Sequence, residues 1–445
     1  MLLLLACTPP APPLVVVEAL TVALTDMPTV IRVRWHTVEP THATVTGRFG
    51  DEEAPIVVTE TADANDHEVL LAGLPGRTDV SVEVRVDDET AEATIATGSL
   101  PSWVPDVTYT ADAPEAAQGG FVVAPMIDLS GGGILVFDHA GRPVWAHARA
   151  DDKEAAMTRA RLSLDGRAVL YLATAGAEDD DGLVIRMPID GGAATETPLR
   201  GTHTDFVELP SGGYAALGWQ LHTMEDGRVI VGDTIVEIDA DGVSHIVWSV
   251  FDDFVPDPRS VMENQYPGDP TIPDWSHVNG ITYDAVSDDY YVTMTWNSGV
   301  ARIDRGTGAL VWMLSDEGGD FADTGDTRMV WLPHSVQPTD TGLLLFNRGD
   351  PRDPTSCSEA TDLVLDEALG TASRSGGLSS ERCLLITFLG SAQRLPGGNT
   401  LIGWSTAGQI DEYTPDGQLA GRFSTNIGAG FGFAGWVPTL GSGVP

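Results

Sequence analysis

Lysine is all but missing from this chain. Lys153 is the single one, and 24 basic residues in total stand against 65 acidic ones, a net charge of −41. A surface of that sign repels the phosphates of nucleic acids and the faces of anionic membranes, so a nucleic-acid partner is excluded. It also repels small anions, unless a site concentrates arginine locally. Long apolar runs are missing too. Beyond the N-terminal segment no stretch approaches the roughly 18 apolar residues of a membrane-spanning helix. What remains is ordinary for a globular chain: 42% hydrophobic, 20% charged. The 49 glycines and 29 prolines are scattered without period, which suits many short strands joined by many turns.

Cysteine is scarce, and its three positions are informative. Cys7 follows Leu4-Leu5-Ala6, which resembles a bacterial lipobox, although the apolar run before it is short and no positive residues precede it. The expectation is an exported protein, periplasmic or on the cell surface, touching a membrane only through a lipid on Cys7. Cys357 and Cys383 either pair, closing a loop worth about 3 kcal/mol in the chain-entropy model, or stand as buried thiols.

Residues 1–14 read as a signal remnant and a proline-extended tether. Residues 15–101 carry short alternating strands at 30–35, 43–47, 56–59, 68–71, 79–86 and 91–97, the spacing of a β-sandwich. Within it, Leu70-Leu71-Ala72-Gly73-Leu74-Pro75-Gly76 resembles a fibronectin type III strand corner. His36, His42 and His67 are read there as surface histidines. Residues 102–445 have a longer repeating phrase: an apolar strand, an acid–glycine turn and a strand ending in Trp. It runs from Ile134 to Trp145, from Val236 to Trp248 and from Val300 to Trp312. Units begin near Phe121, Thr158, His203, His277, His334 and Ala392, which gives six blades of a β-propeller. The segments 251–274 and 349–382 are read as insertions, long loops gathered on one face.

Three units open on a histidine: Thr202-His203-Thr204-Asp205, Trp275-Ser276-His277-Val278-Asn279-Gly280 and Trp331-Leu332-Pro333-His334-Ser335. Equivalent points of successive blades converge on one axis. These blocks, the phrase from Ile303-Asp304 to Trp312, and Leu395-Pro396-Gly397-Gly398-Asn399-Thr400-Leu401-Ile402-Gly403-Trp404 together resemble the bacterial arylsulfotransferase family, over 106–440. The resemblance implies an all-β, six-bladed β-propeller behind a small fibronectin/Ig-like β-sandwich. It implies sulfuryl transfer from a phenolic sulfate ester to a phenol acceptor, without a nucleotide sulfate donor or any other cofactor. His334 matches the histidine that is transiently sulfated. His203 and His277 match the assisting histidines, and Asn279 the Asn after the second of them. Where the family carries its catalytic Arg this chain has Thr295, and Arg348, on the strand after His334, is the candidate replacement.

The chemistry suits these residues. A neutral imidazole is nucleophilic near neutrality, since its ordinary pKa is about 6.5. It forms a covalent sulfo-enzyme that splits one displacement into two, and cationic donors meet the charge on the sulfuryl oxygens. Trp219, Trp296 and Trp404, with Thr406 beside the last, serve either as an aromatic wall for the phenyl ring or as core. No carboxylate stands at ligand spacing beside the histidines, so no metal site is expected. The acidic runs 178–181 and 316–326 are read as solvated loops, with calcium binding the alternative. The competing reading is a propeller that has lost its chemistry and binds a protein or glycan at the cell surface.

Overall fold

The computed structural model describes residues 17–50, 54–128, 131–148, 156–174, 182–199, 201–256, 264–266, 268–325, 328–425 and 430–441. Cys7, Lys153 and the acidic run 178–181 lie outside the described residues. The chain divides into two compact units, Met1–Ser99 and Leu100–Pro445.

In the first unit alternation sets the fold. Ile31, Val33 and Trp35 point inward while Arg34 and His36 point away, as a strand's period of two requires. One sheet orders Val17–Leu24, Ile31–Thr41 and Ala64–Leu71; the other orders Ile56–Thr59, Thr44–Arg48, Asp79–Val86 and Glu89–Ala96. Val45, Leu71, Val80, Val82 and Val84 fill the space between the sheets. One expectation is corrected here. His67 is not a surface residue: it occupies an inward position, stacked 4.6 Å from Trp35, with its ring nitrogens on Thr37 and Glu60. Its hydrogen-bonding needs are met inside, so burial is tolerated.

The second unit is a propeller of six sheets. Blades 2, 4 and 5 open on the inner strands Ala156–Leu162, Val278–Asp284 and Pro333–Thr339. Blade 3 opens on Thr202–Glu208, and its strand Val229–Asp239 also pairs with Asp269–Asp274, in parallel. The acid–glycine phrases make the hairpins: Gly242 and Gly417 take φ of +84° and +83°, a conformation that side chains resist. The ring is closed twice. Val107–Thr110 adds an outer strand to blade 6, and Gly430–Phe431 with Gly435–Val437 supplies the inner edge of blade 1.

The segment 349–382 is not an insertion. It contains Glu359–Asp366 and Thr371–Ser379, the two outer strands of blade 5. Outer blade strands face water on much of their surface, so their apolar alternation is weak and reads as loop. Cys357 and Cys383 are joined there as a disulfide, Cα atoms 4.9 Å apart. The acidic run beginning at Asp316 is occupied too: Asp316 accepts the N–H groups of Met329 and Val330, and Asp320 that of Met313.

Neighbouring inner strands are stitched by side chains, because no β-ladder runs between blades. Thr158 Oγ1 donates to Thr204 C=O (2.6 Å), and Ile281 N–H to Asp205 Oδ2 (3.1 Å). Thr282 Oγ1 donates to Val336 C=O (2.6 Å), and Ala392 N–H to Ser335 Oγ (3.1 Å). Ala434 N–H donates to Ser391 Oγ (3.0 Å), and Phe433 N–H returns to Thr158 C=O (3.0 Å). The circuit therefore closes. Phe431 sits in the closing segment, fully buried and edge-on to Phe137 at 6.0 Å. Phe431→Ala is expected to cost about 3–5 kcal/mol, measured as a lower urea midpoint; a midpoint unchanged from the parent protein contradicts this closure.

Candidate active site

The inner strands of blades 2 to 5 share an irregularity. Pairing with the second strand slips between Met157 and Ala160, His203 and Phe206, Val278 and Gly280, and Pro333 and Ser335. A bulge re-aims the side chains inside it. Arg159, Asp205, Asn279 and His334 each stand immediately ahead of the residue that closes the bulge. Left-handed φ values at Thr204 (+57°), His277 (+47°) and Leu332 (+44°) accompany these slips. Such values are sparsely populated for residues with a Cβ and concentrate where geometry is functional.

His334 is buried, and its Nδ1–H donates to the Gly390 carbonyl at 3.1 Å. That bond fixes the tautomer and leaves Nε2 with the lone pair. The pKa of His334 is lowered well below 6.5, first by burial, then by the charges of Arg348, His277 and Arg159. It is therefore held neutral, as a nucleophilic nitrogen must be. Arg348 donates to the Thr387 carbonyl, its Nε is buried without a hydrogen bond, and no carboxylate pairs with it among the described residues. Burial pulls its pKa down to about 10, so it remains a cation at neutral pH. In a chain of net charge −41, that is a local concentration of positive charge.

His277 is gripped by Asp274: its N–H reaches Oδ1 at 3.2 Å and its Nδ1 lies 2.5 Å from Oδ2. A quarter of the side chain is exposed, and Trp296 packs against the ring at 5.6 Å. Burial raises the pKa of Asp274, as does the charge of Asp233, while His277 and His203 oppose them. His203 is more enclosed. Nδ1 lies 2.9 Å from Thr204 Oγ1, Nε2 lies 2.8 Å from Asp233 Oδ1, and Trp219 stacks on the ring at 3.7 Å. Asp233 also accepts Ser276 Oγ and Val278 N–H (2.8 Å), tying blade 3 to blade 4. The three histidines thus belong to one electrostatic cluster: Asp274 feels His203 and His277, and His334 feels His277.

Two carboxylates beside the histidines correct the sequence expectation that none would be near. Asp233 comes from the strand Val229–Asp239, which spacing along the chain does not reveal, whereas Asp274 stands only three residues ahead of His277. Asn279 is committed internally: its Nδ2 donates to Thr295 Oγ1 and its Oδ1 accepts Thr293 Oγ1 (3.0 Å). Thr295 in turn donates to Pro333 C=O (3.0 Å) and bridges blades 4 and 5. Trp404 is part of the core, fully buried with its N–H on Asp411 (2.9 Å), while Thr406 is exposed. Trp219 and Trp296 are the aromatics against the histidines.

Sequence reasoning missed Arg159. Its guanidinium lies 4.6 Å over Phe433, whose ring is 4.8 Å from His334. Its Nε is 3.3 Å from Asp205 Oδ1, which also takes Arg161 at 3.2 Å. A cavity of about 440 Å³ has Arg159, Arg161, Asp205, Gly280 and Ser335 among its lining residues. The only signal for Arg159 was its place in the unit that begins near Thr158.

The family profile described as Arylsulfotransferase (ASST) matches residues 115–375, more than half of the chain. No curated protein matches it in sequence. Among solved structures, a protein of unknown function from Bacteroides caccae is 11% identical, covering 71% of this chain and 98% of its own at a TM-score of 0.43. A streptogramin B lyase is 13% identical, covering 74% and 98% at 0.39. The β-propeller domain of Cps50 (Swd1) from Myceliophteria thermophila is 13% identical, covering 70% and 88% at 0.38.

Because the lowered pKa keeps His334 neutral as pH falls, heteronuclear NMR of labelled histidine should show the neutral imidazole persisting below the ordinary midpoint of about pH 6.5. A His334 midpoint at or above that value contradicts the site.

Proposed function

The chain belongs to the arylsulfotransferase family, and on that premise we propose that it moves a sulfuryl group from a phenolic sulfate ester to a phenol through a sulfohistidine at His334. The observation that carries this reading is a buried histidine kept neutral, its Nδ1–H held by Gly390, beside an arginine that has no carboxylate partner among the described residues.

In the proposed first half-reaction, Nε2 of His334 attacks sulfur and the S–O bond to the aryl group breaks. The leaving phenolate takes a proton from His277, whose Nδ1 is held by Asp274. Phenols have a pKa near 10, so an imidazolium is a strong enough acid. Arg348 meets the sulfonate oxygens. In the second half-reaction His277 removes the proton of the acceptor phenol, the phenolate oxygen attacks sulfur, and the S–N bond breaks. His334 returns to its starting state. Both ring nitrogens of His203 face protein groups, so its part is to hold Trp219 and Asp233 in place. Trp219 and Trp296 supply flat apolar faces for the aryl ring. The disulfide supports an oxidising compartment outside the cytoplasm, and a lipid on Cys7 would place the protein at a membrane surface there.

Mixing the protein with 4-nitrophenyl sulfate and no acceptor should release one equivalent of nitrophenol per site as a burst. His334→Ala should abolish that burst. His277→Ala should slow the burst by about 10²–10⁴-fold with phenyl sulfate and much less with the nitrophenyl ester, whose leaving group needs little proton assistance. No burst across several phenyl and naphthyl sulfates overturns the transferase reading in favour of a binding propeller.

A further inference from the structure

We infer that Arg159 is a further catalytic residue, a second guanidinium that receives the sulfonate oxygens together with Arg348 while His334 attacks sulfur. The inference rests on the transferase reading and adds a contact that the family resemblance did not supply.

The first observation is a charge imbalance at the axis. Arg159 and Arg161 share one carboxylate, Asp205. That carboxylate is already taken up: Oδ1 accepts Phe206 N–H (2.8 Å) and Arg161 (3.2 Å), and Oδ2 accepts Ile281 N–H (3.1 Å). Arg161 also donates to Ile281 C=O at 3.2 Å. Arg159 is left with an ion-pair approach of 3.3 Å through Nε, and that atom is buried without a hydrogen bond. Among the described residues no group accepts a hydrogen bond from it.

Other half-buried arginines here are spent differently. Arg302 is held by Asp289 and Glu367, Arg305 by Glu237 and Asp288, and Arg422 by Asp411 and Glu381. Each of them faces two carboxylates. Arg159 has half of one. Among the described residues Arg159 and Arg161 share one carboxylate between them and no carboxylate pairs with Arg348, and the charges of Arg159 and Arg348 both act on His334.

The second observation is position. Arg159 and His334 each sit in the bulge of an inner strand, in blades 2 and 5, one residue ahead of the residue that closes it. Phe433 lies against both, 4.6 Å from the guanidinium carbon and 4.8 Å from the imidazole ring. Its backbone is also bridged to Arg159. Phe433 thereby fixes the plane of the guanidinium without using any of its N–H groups. A planar fork with unspent donors suits the oxygens of a sulfonate. Its pKa, brought down to about 9 mainly by burial and the Arg161 charge, leaves it cationic at neutral pH.

Arg159→Gln in the full chain is the test, with two readouts. In turnover of phenyl sulfate, kcat/KM should fall by about 10²–10³-fold, and Arg159→Lys should recover part of the loss by restoring the charge without the fork. Without turnover, inorganic sulfate titrated into the wild type should shift the His334 imidazole resonance saturably, and Arg159→Gln should weaken that binding at least tenfold. The groups whose charges act on His334 are Arg348, His277 and Arg159. Losing one of these cations should therefore also raise the His334 midpoint. A variant that binds sulfate and turns over within twofold of wild type, with the His334 midpoint unmoved, overturns the inference. A wild type without a burst sinks the transferase reading; sulfate binding that depends on Arg159 would still carry the anion contact on its own.

Discussion

A propeller has no β-ladder between its blades, so its inner strands must find hydrogen-bond partners across the gaps. Here that constraint is met by polar side chains donating to or accepting from the next blade's backbone, from Thr158 to Thr204, Asp205 to Ile281, Thr282 to Val336, Ser335 to Ala392 and Ser391 to Ala434. Phe433 returns the circuit to Thr158. Arg159, Asp205, Asn279 and His334 all sit in the bulges of these same inner strands. Fold closure and site assembly thus share the same strands.

The site is then a problem in burying charge. Taking ions out of water is costly unless they are paired, and the interior answers in three ways. His334 remains neutral. His203 and His277 take carboxylate neighbours, Asp233 and Asp274. Among the described residues Arg159 shares its one carboxylate with Arg161 and Arg348 has none, and in the proposed reaction the sulfonate supplies that counter-charge. Substrate affinity in a molecule of net charge −41 needs such an arrangement.

Much of the fold was legible. Period-two alternation gave the strands of the first unit, and the acid–glycine turns with a closing Trp marked the repeat of the second. The family followed from ordered motifs rather than from any single one. What failed did so for physical reasons. The outer strands of blade 5 are too polar to show apolar alternation, so their sequence reads as loop. His67 was misplaced because its partners, Thr37 and Glu60, lie on other strands. The Asp233 carboxylate beside His203 and the role of Arg159 depend on contacts between distant strands, which leave no local pattern, whereas Asp274 stands three residues ahead of His277. Trp404 matched a motif, yet its N–H is spent on Asp411 within the core.

The central claim is that His334 carries the sulfuryl group as a covalent intermediate. The direct measurement is mass spectrometry of the protein quenched at alkaline pH after exposure to an aryl sulfate without acceptor, since protonating the ring would promote loss of the group. The account predicts one added SO₃ per chain, located by fragmentation on His334, and its disappearance on adding a phenol. An added group on any other residue, or turnover with no covalent adduct at all, would contradict it.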